Sequence, residues 1–435
     1  MVDRPRRAAL LTALVVLGLG GATTAVPALT GGEDGDAVSV PARLPGYSYL
    51  TGQLGAAPPG RVLAVYQQGF GVELFDFPQA LVVGADGASA RQVRTAMRRG
   101  APDTQGDAAP MSVSPDGTRL AVGDWDAGDV SGEETTPALG EADMAVVDVA
   151  TGDVRTVALP DATAVLPLAW SADSARLAYV SPTGPVGPYA RAGRPGQLLV
   201  LDVGTGRAAP VAGVDDAVSA AFSPDGLLAV QREGGAIEVR EPGGDLLRTV
   251  EAPRSELLAP GTGWSPDGRL LALQGAGGVS FLSASDDASA DVPAPVRADA
   301  LLAWRSPDQV LLQDVGASST ATSVDFTVSR ADLATGEVTP WTRVPTSGGN
   351  YAVHDLQLAT GLVQRAQPVA AAPFADRGRP SWLVLAAIWL LAAGVAARVA
   401  HRLARRRARS RVADSGPPHA GGPVTRRSTS GVGSR

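Results

Sequence analysis

Apolar runs of three to five residues recur along most of the chain, each separated from the next by a short polar corner. The clearest copy runs from Gly263 to Leu273, where Trp264 leads into Ser265-Pro266-Asp267-Gly268 and Leu270, Leu271 and Leu273 lead out. Pro266 presets the backbone angle of a tight turn, Asp267 bonds its own backbone, and Gly268 takes the conformation that closes it. Two buried strands around a polar hairpin corner are the predicted result.

The same corner recurs at Ser114-Pro115-Asp116-Gly117, Ser171-Ala172-Asp173-Ser174, Ser223-Pro224-Asp225-Gly226 and Ser306-Pro307-Asp308-Gln309. Weaker copies begin at Ala57 and Ser347. A second mark alternates with it: a strand ending in Asp, then a Thr-Gly turn, as at Asp148 to Gly152, Asp202 to Gly206 and Asp332 to Gly336. Corners starting at 57, 114, 171, 223, 265, 306 and 347 are 57, 57, 52, 42, 41 and 41 residues apart. The later spacing is that of a four-stranded propeller blade, about 40 to 45 residues, and two hairpin turns supply the four strands. An all-β, single β-propeller over residues 44–365 follows, with seven blades expected and six or eight as alternatives. The longer early units then carry insertions at Asp124 to Asp143 and Ser181 to Pro195.

The flanks have a different pattern. Arg4, Arg6 and Arg7 precede an apolar run from Ala8 to Leu19 and a Val26-Pro27-Ala28 ending, so residues 1–28 read as a signal peptide or an uncleaved signal anchor. Residues 29–43 and 366–381, rich in Gly, Pro and Ala, read as linkers. Trp382 to Ala397 contains no charge, and Arg398 can snorkel, so residues 382–400 approach the ~20 positions a membrane helix needs. An Arg-rich tail at 401–435 follows, with a composition that predicts disorder.

Charge sharpens this picture. The net charge is −7; the first seven residues carry +2 and residues 398–435 carry +9, which leaves −18 for the middle. An acidic centre between basic ends reads as membrane topology, with the propeller outside and the tail cytoplasmic. Every basic residue besides histidine is Arg and none is Lys, so arginine abundance reflects codon bias and no nucleic-acid partner follows from it. With no cysteine the chain has no disulfide, thiolate metal site or cysteine nucleophile.

The run aromatic-Ser-Pro-Asp-Gly-x-x-Leu-Ala, present at Trp264 to Ala272, at Phe222 to Ala229 and more weakly at Trp170 to Ala178, resembles the repeats of TolB-like and WD-repeat-like β-propellers. That resemblance covers about residues 44–365 and implies a radial array whose loops form a binding face or central pocket. Those propellers host binding, scaffolding and enzymatic roles alike, so it does not choose among them.

Candidate chemistry is sparse. Asp116, Asp173, Asp225, Asp267 and Asp308 invite reading as a ring of catalytic carboxylates, but turn chemistry already accounts for Asp at those places. Asp124, Trp125 and Asp126 head an acidic insertion that belongs, with the aromatics below, to the candidate partner surface; its spacing misses the helix-loop-helix calcium pattern, so no metal is expected there. Tyr66, Phe70, Phe75 and Phe77 form an aromatic cluster that is either an exposed partner surface or packing between the first and last blades. His354 is the single histidine of the propeller region, which argues against a histidine metal site or a Ser-His-Asp triad within it. No cofactor is expected. Three functions remain: a non-catalytic membrane-anchored scaffold for a protein or cell-envelope partner, an enzyme acting on an envelope glycan through Asp or Glu in the channel, and a sensor signalling to the tail.

Overall fold

The computed structural model describes residues 37–414 except 47, 49, 69–78, 100–107, 125–141, 160–161, 163, 183–191, 286–290, 316–325, 345–352, 371–374 and 381. Residues 32–381 form one compact unit. Within it, antiparallel strands follow one another in meandering sheets, innermost strand first.

The second sheet consists of Met111–Val113, Arg119–Val122, Asp143–Asp148 and Val154–Ala158 in that order. The third is Leu166–Trp170, Arg176–Pro182, Gly196–Asp202 and Arg207–Pro210, and the fourth Ala217–Phe222, Leu228–Arg232, Ile237–Arg240 and Leu246–Val250. One residue pair, Gly196 with Ala217, joins these last two. The fifth sheet, Glu256–Leu258, Leu270–Gly275 and Gly278–Ser283, gains a further edge through a bridge from Val279 to Val296. The sixth is Ala300–Ser306, Gln309–Val315, Phe326–Asp332 and Val338–Val344.

The first sheet draws on both ends of the unit. Its inner strand is Val353–Leu358, paired antiparallel with Val62–Gln68, which is followed by Gln79–Gly84 and Ala90–Gln92. The strands that follow the marks at 57 and 347, counted as separate units from their spacing, therefore lie in one sheet. Seven spaced marks need not make seven sheets, because pairing between distant segments leaves no trace in local spacing.

Burial explains the radial order. Inner strands Leu166–Trp170 and Ala217–Phe222 are buried at every position, whereas outer strands Arg207–Pro210 and Leu246–Val250 are largely exposed. The apolar clusters lie between sheets, joining second to third, third to fourth, fourth to fifth, fifth to sixth, and sixth through first to second. The sheets thus pack face to face around a closed β-propeller arrangement.

Two segments expected as linkers contain ordered strands. Ser39–Pro41 pairs in parallel with Gln367–Val369. Further along, the Asp376 carbonyl accepts the Ala90 N–H at 2.7 Å and the Arg377 carbonyl accepts the Gly52 N–H at 2.6 Å. Glycine and proline content predicted looseness here, but main-chain hydrogen bonds to the first sheet override it.

The second unit contains the helix Trp382–Asp414. Leu390 and Leu391 on it are about three-quarters exposed, and Val395 and Val399 more than half. Among the described residues no helix is long and apolar enough to cross a membrane; the side chains of Trp382, Leu383, Val384 and Ala387 fall outside them.

Candidate functional site

The carboxylates of Asp116, Asp173, Asp225 and Asp267 are engaged within their own turns. Ser114 Oγ donates to Asp116 at 2.6 Å and accepts the Arg119 N–H at 2.9 Å, while the Thr118 N–H reaches Asp116 at 3.0 Å. Ser171 with Asp173, Ser223 with Asp225, and Ser265 with Asp267 repeat the serine-to-aspartate bond. Asp308 lies in a corresponding turn, where its carbonyl accepts the Leu333 N–H at 2.8 Å. Burial alone would raise the Asp116 carboxyl, but hydrogen bonds from Ser114, Thr118 and Ser174 outweigh it and hold the group below its ordinary range. For Asp173 the Ser171 hydroxyl is the leading cause of a shift in the same direction.

A tryptophan one or two residues before the corner serine fastens neighbouring sheets at three places. Trp170 Nε1 donates to the Ser112 carbonyl of the second sheet at 3.2 Å, Trp264 Nε1 to the Ala221 carbonyl of the fourth at 3.1 Å, and Trp304 Nε1 to the Thr262 carbonyl, just beyond the fifth sheet's inner strand, at 2.9 Å. Phe222 has no N–H to offer at this place; the Arg176 guanidinium lies 5.3 Å from its ring centre instead. The recurrence of an aromatic before serine was visible in the sequence, though its inter-sheet bond was not.

At the centre, inner-strand residues leave a cavity of about 30 Å³ bordered by Ser112, Leu168, Thr262, Leu302 and Gln357, among other uncharged side chains. The buried Gln357 Nε2 donates to the Met111 carbonyl at 2.5 Å, so the wall is tied across the first and second sheets.

The proposed partner surface is dispersed. Tyr66 is fully buried, its hydroxyl donating to the Pro45 carbonyl, and so is not available to a partner. Burial pushes that hydroxyl's pKa up, with the Arg377 charge opposing. This corrects the exposed-platform reading at Tyr66: the residue's apolar ring packs into the core, and its single polar atom is satisfied internally. Asp124 lies 3.7 Å from Arg99, which also pairs with Asp143, and accepts the Asp143 N–H at 3.2 Å. Phe70, Phe75, Phe77, Trp125 and Asp126 lie outside the described residues.

A larger cleft opens elsewhere, at the rim between the first and second sheets. It encloses about 190 Å³ and is lined by Gln53, Gln92, Arg94, Thr95 and Arg98 above an apolar floor that includes Val93 and Val147. Residues from three distant stretches build it, and none was singled out by sequence as part of a site. The available signal was the spacing of Arg94 and Arg98, four apart, which places them on one helical face. Among the described residues no group of three or more His, Cys, Asp or Glu is placed to hold a metal ion.

No protein family matches the chain, and no curated protein matches it. Among solved structures, it is similar to Kuenenia stuttgartiensis hydrazine synthase at 20% identity and a TM-score of 0.33, covering 53% of this chain and 65% of that one, under two thirds of its length. A chain of a nidogen/laminin complex gives 9% identity and a TM-score of 0.38, covering 69% and 99%. The β-propeller domain of Myceliophteria thermophila Cps50 (Swd1) gives 10% and 0.32, covering 55% and 86%. Scores this low carry no functional argument, and the fold rests on the chain's own sheet arrangement.

Proposed function

We propose that this chain is a membrane-anchored, extracytoplasmic, six-bladed β-propeller that binds a protein or cell-envelope partner as a non-catalytic scaffold. The observation that carries the reading is the cavity among the inner strands: about 30 Å³, lined by uncharged side chains, with Gln357 in its wall held by the Met111 carbonyl and the Asp355 carboxylate. A space of that size suits roughly one water, and ligand sites run to several hundred Å³. Recognition then falls to the loops and rim, because the residues lining this cavity include no pair of carboxyl groups about 5 to 10 Å apart, which glycan hydrolysis needs.

Support for the anchor comes from the sequence of the C-terminal helix. Sixteen uncharged positions from Trp382 precede Arg398, and six arginines lie between Arg402 and Arg411. That order is a span followed by a cytoplasmic stop. The apolar side chains it exposes require cover, which lipid supplies.

Crosslinking the full-length chain in intact cells, followed by its recovery, tests the scaffold. A discrete partner, absent from cells lacking the chain, is expected; no partner together with turnover of an envelope polymer contradicts the reading. Protease applied to intact cells tests the topology separately. It should cut between Glu33 and Arg377 and spare the tail, and the reverse pattern places the propeller inside.

A further inference from the structure

We propose that the cleft between the first and second sheets binds a compact oxyanion, a carboxylate or phosphate carried on a hydroxylated body of about monosaccharide size. This goes beyond the scaffold reading and stands without it, because the cleft is part of the ring's rim whatever the loops recognise.

The cation pair is held in place from both sides. In the helix Arg94–Arg99, Ala96 is fully buried, and Arg99 is tied to Asp143 and Asp124. These contacts fix the helix's rotation, and Arg94 and Arg98, both exposed, line the cleft one turn apart. Among the described residues neither arginine has an ion-pair partner, and no acidic side chain lines the cleft. Like charges at this spacing repel, and an oxyanion between them reverses the sign of that interaction while offering acceptors to two planar forks. Arginine abundance in the chain does not explain this arrangement, since Arg99 on the same helix is neutralised.

The surrounding wall is preorganised. Gln53 and Gln92 are bridged through their main chains, and the Gln92 N–H donates to the Gly52 carbonyl at 2.8 Å, so both carboxamides project from fixed backbone. With Thr95 they supply donors and acceptors suited to hydroxyl groups. Across the cleft, Gly152 sits so close to Gly55 that a Cβ on it would come within 2.4 Å of the Gly55 Cα. The second sheet is thereby seated directly against the 53–55 segment. The volume of about 190 Å³ exceeds that of the central cavity severalfold.

Calorimetric titration of the full-length chain in detergent micelles tests this, with glucuronate, glucose 6-phosphate, inorganic phosphate and glucose as probes. Saturable binding of glucuronate or glucose 6-phosphate is expected, with phosphate weaker and glucose inert. The double variant R94Q/R98Q, both positions being exposed, should weaken it at least tenfold at unchanged Tm, with R94K/R98K intermediate. Raising salt from about 50 to about 500 mM should weaken it several-fold, because the contacts are partly solvated. Absence of saturable binding by both charged sugars overturns the proposal, as does affinity that survives R94Q/R98Q. Equal affinity for inorganic phosphate and glucose 6-phosphate overturns the hydroxylated body.

Discussion

The indole N–H of Trp304 donates to the main-chain carbonyl of Thr262 across 2.9 Å, and this bond fastens the sixth sheet to the fifth. Phe281 of the fifth sheet meets the same indole edge to face, with ring centres 5.6 Å apart. Trp304→Phe keeps much of the ring and removes the donor, so a loss of about 1 to 2 kcal/mol is expected. Trp304→Ala also opens a cavity and should cost about 3 to 5 kcal/mol. Denaturant unfolding of the three proteins gives the comparison; equal stability of the Phe variant and the parent would remove the bond from the account.

Two glycines in equivalent corners should respond differently. Gly268 has a φ of 71° with open space around it, so Gly268→Ala meets only the left-handed backbone penalty, about 1 to 2 kcal/mol. Gly117 has a φ of 69°, and a Cβ there would come within 2.3 Å of the Val62 carbonyl in the first sheet. The Gly117 carbonyl also accepts the Val62 N–H at 2.8 Å, so this corner is part of a sheet-to-sheet contact. Gly117→Ala should therefore lower Tm clearly further than Gly268→Ala, as a thermal melt of each will show.

The ion pair between Arg91 and Asp376 is asymmetric: at 2.7 Å, the arginine side chain is 5% exposed and the aspartate 60%. Arg91 also donates to the carbonyls of Ala57 and Asp376, both at 2.6 Å. Asp376→Asn should cost under about 1 kcal/mol, since a solvated partner adds little. Arg91→Ala removes these bonds and the one to the buried Ala90 carbonyl, and should cost about 2 to 3 kcal/mol. It should also make residues 367–380 more sensitive to protease, which limited digestion followed by mass spectrometry measures.

Acid should loosen the ring through Asp116. Its folded pKa is lowered, so its contribution is present above the unfolded carboxylate value, about 3.9, and disappears as pH falls through the folded value. Denaturation midpoints should be flat above about pH 5 and fall below about pH 4. Asp116→Asn should lower the plateau and make the acid decline shallower. An unchanged decline would assign the acid sensitivity to other groups, with Asp173 the next to test.

What the sequence revealed follows the range of the forces involved. The corners and the Thr-Gly turns were legible because a serine, an aspartate and a glycine a few residues apart satisfy one another: Thr205 N–H reaches Asp202 at 2.7 Å and Thr335 N–H reaches Asp332 at 2.9 Å. The fifth sheet, which lacks that turn, was legible only in part, because its outer edge comes through Val296, well beyond Ser283. The pairing of strand Val353–Leu358 with strand Val62–Gln68 was invisible, since nearly 300 residues separate them and neither carries the other's address. The rim cleft was hidden for the same reason. Tyr66 shows the converse limit: composition placed an aromatic there, but only packing shows which way it faces.

The most direct test of the account is whether the two ends of the propeller share one sheet. Ala64 and Leu358 are register partners, and the chain has no cysteine of its own, so Ala64→Cys with Leu358→Cys creates a single reporter pair. Partners across an antiparallel pair lie about 4.5 to 5.5 Å apart between Cα atoms, within reach of a disulfide. Mild oxidation followed by peptide mass spectrometry should give one disulfide-linked pair joining the segments around 64 and 358, with Tm maintained or raised. Two thiols that remain free and alkylatable in a folded protein would contradict the shared sheet and the ring closure drawn from it.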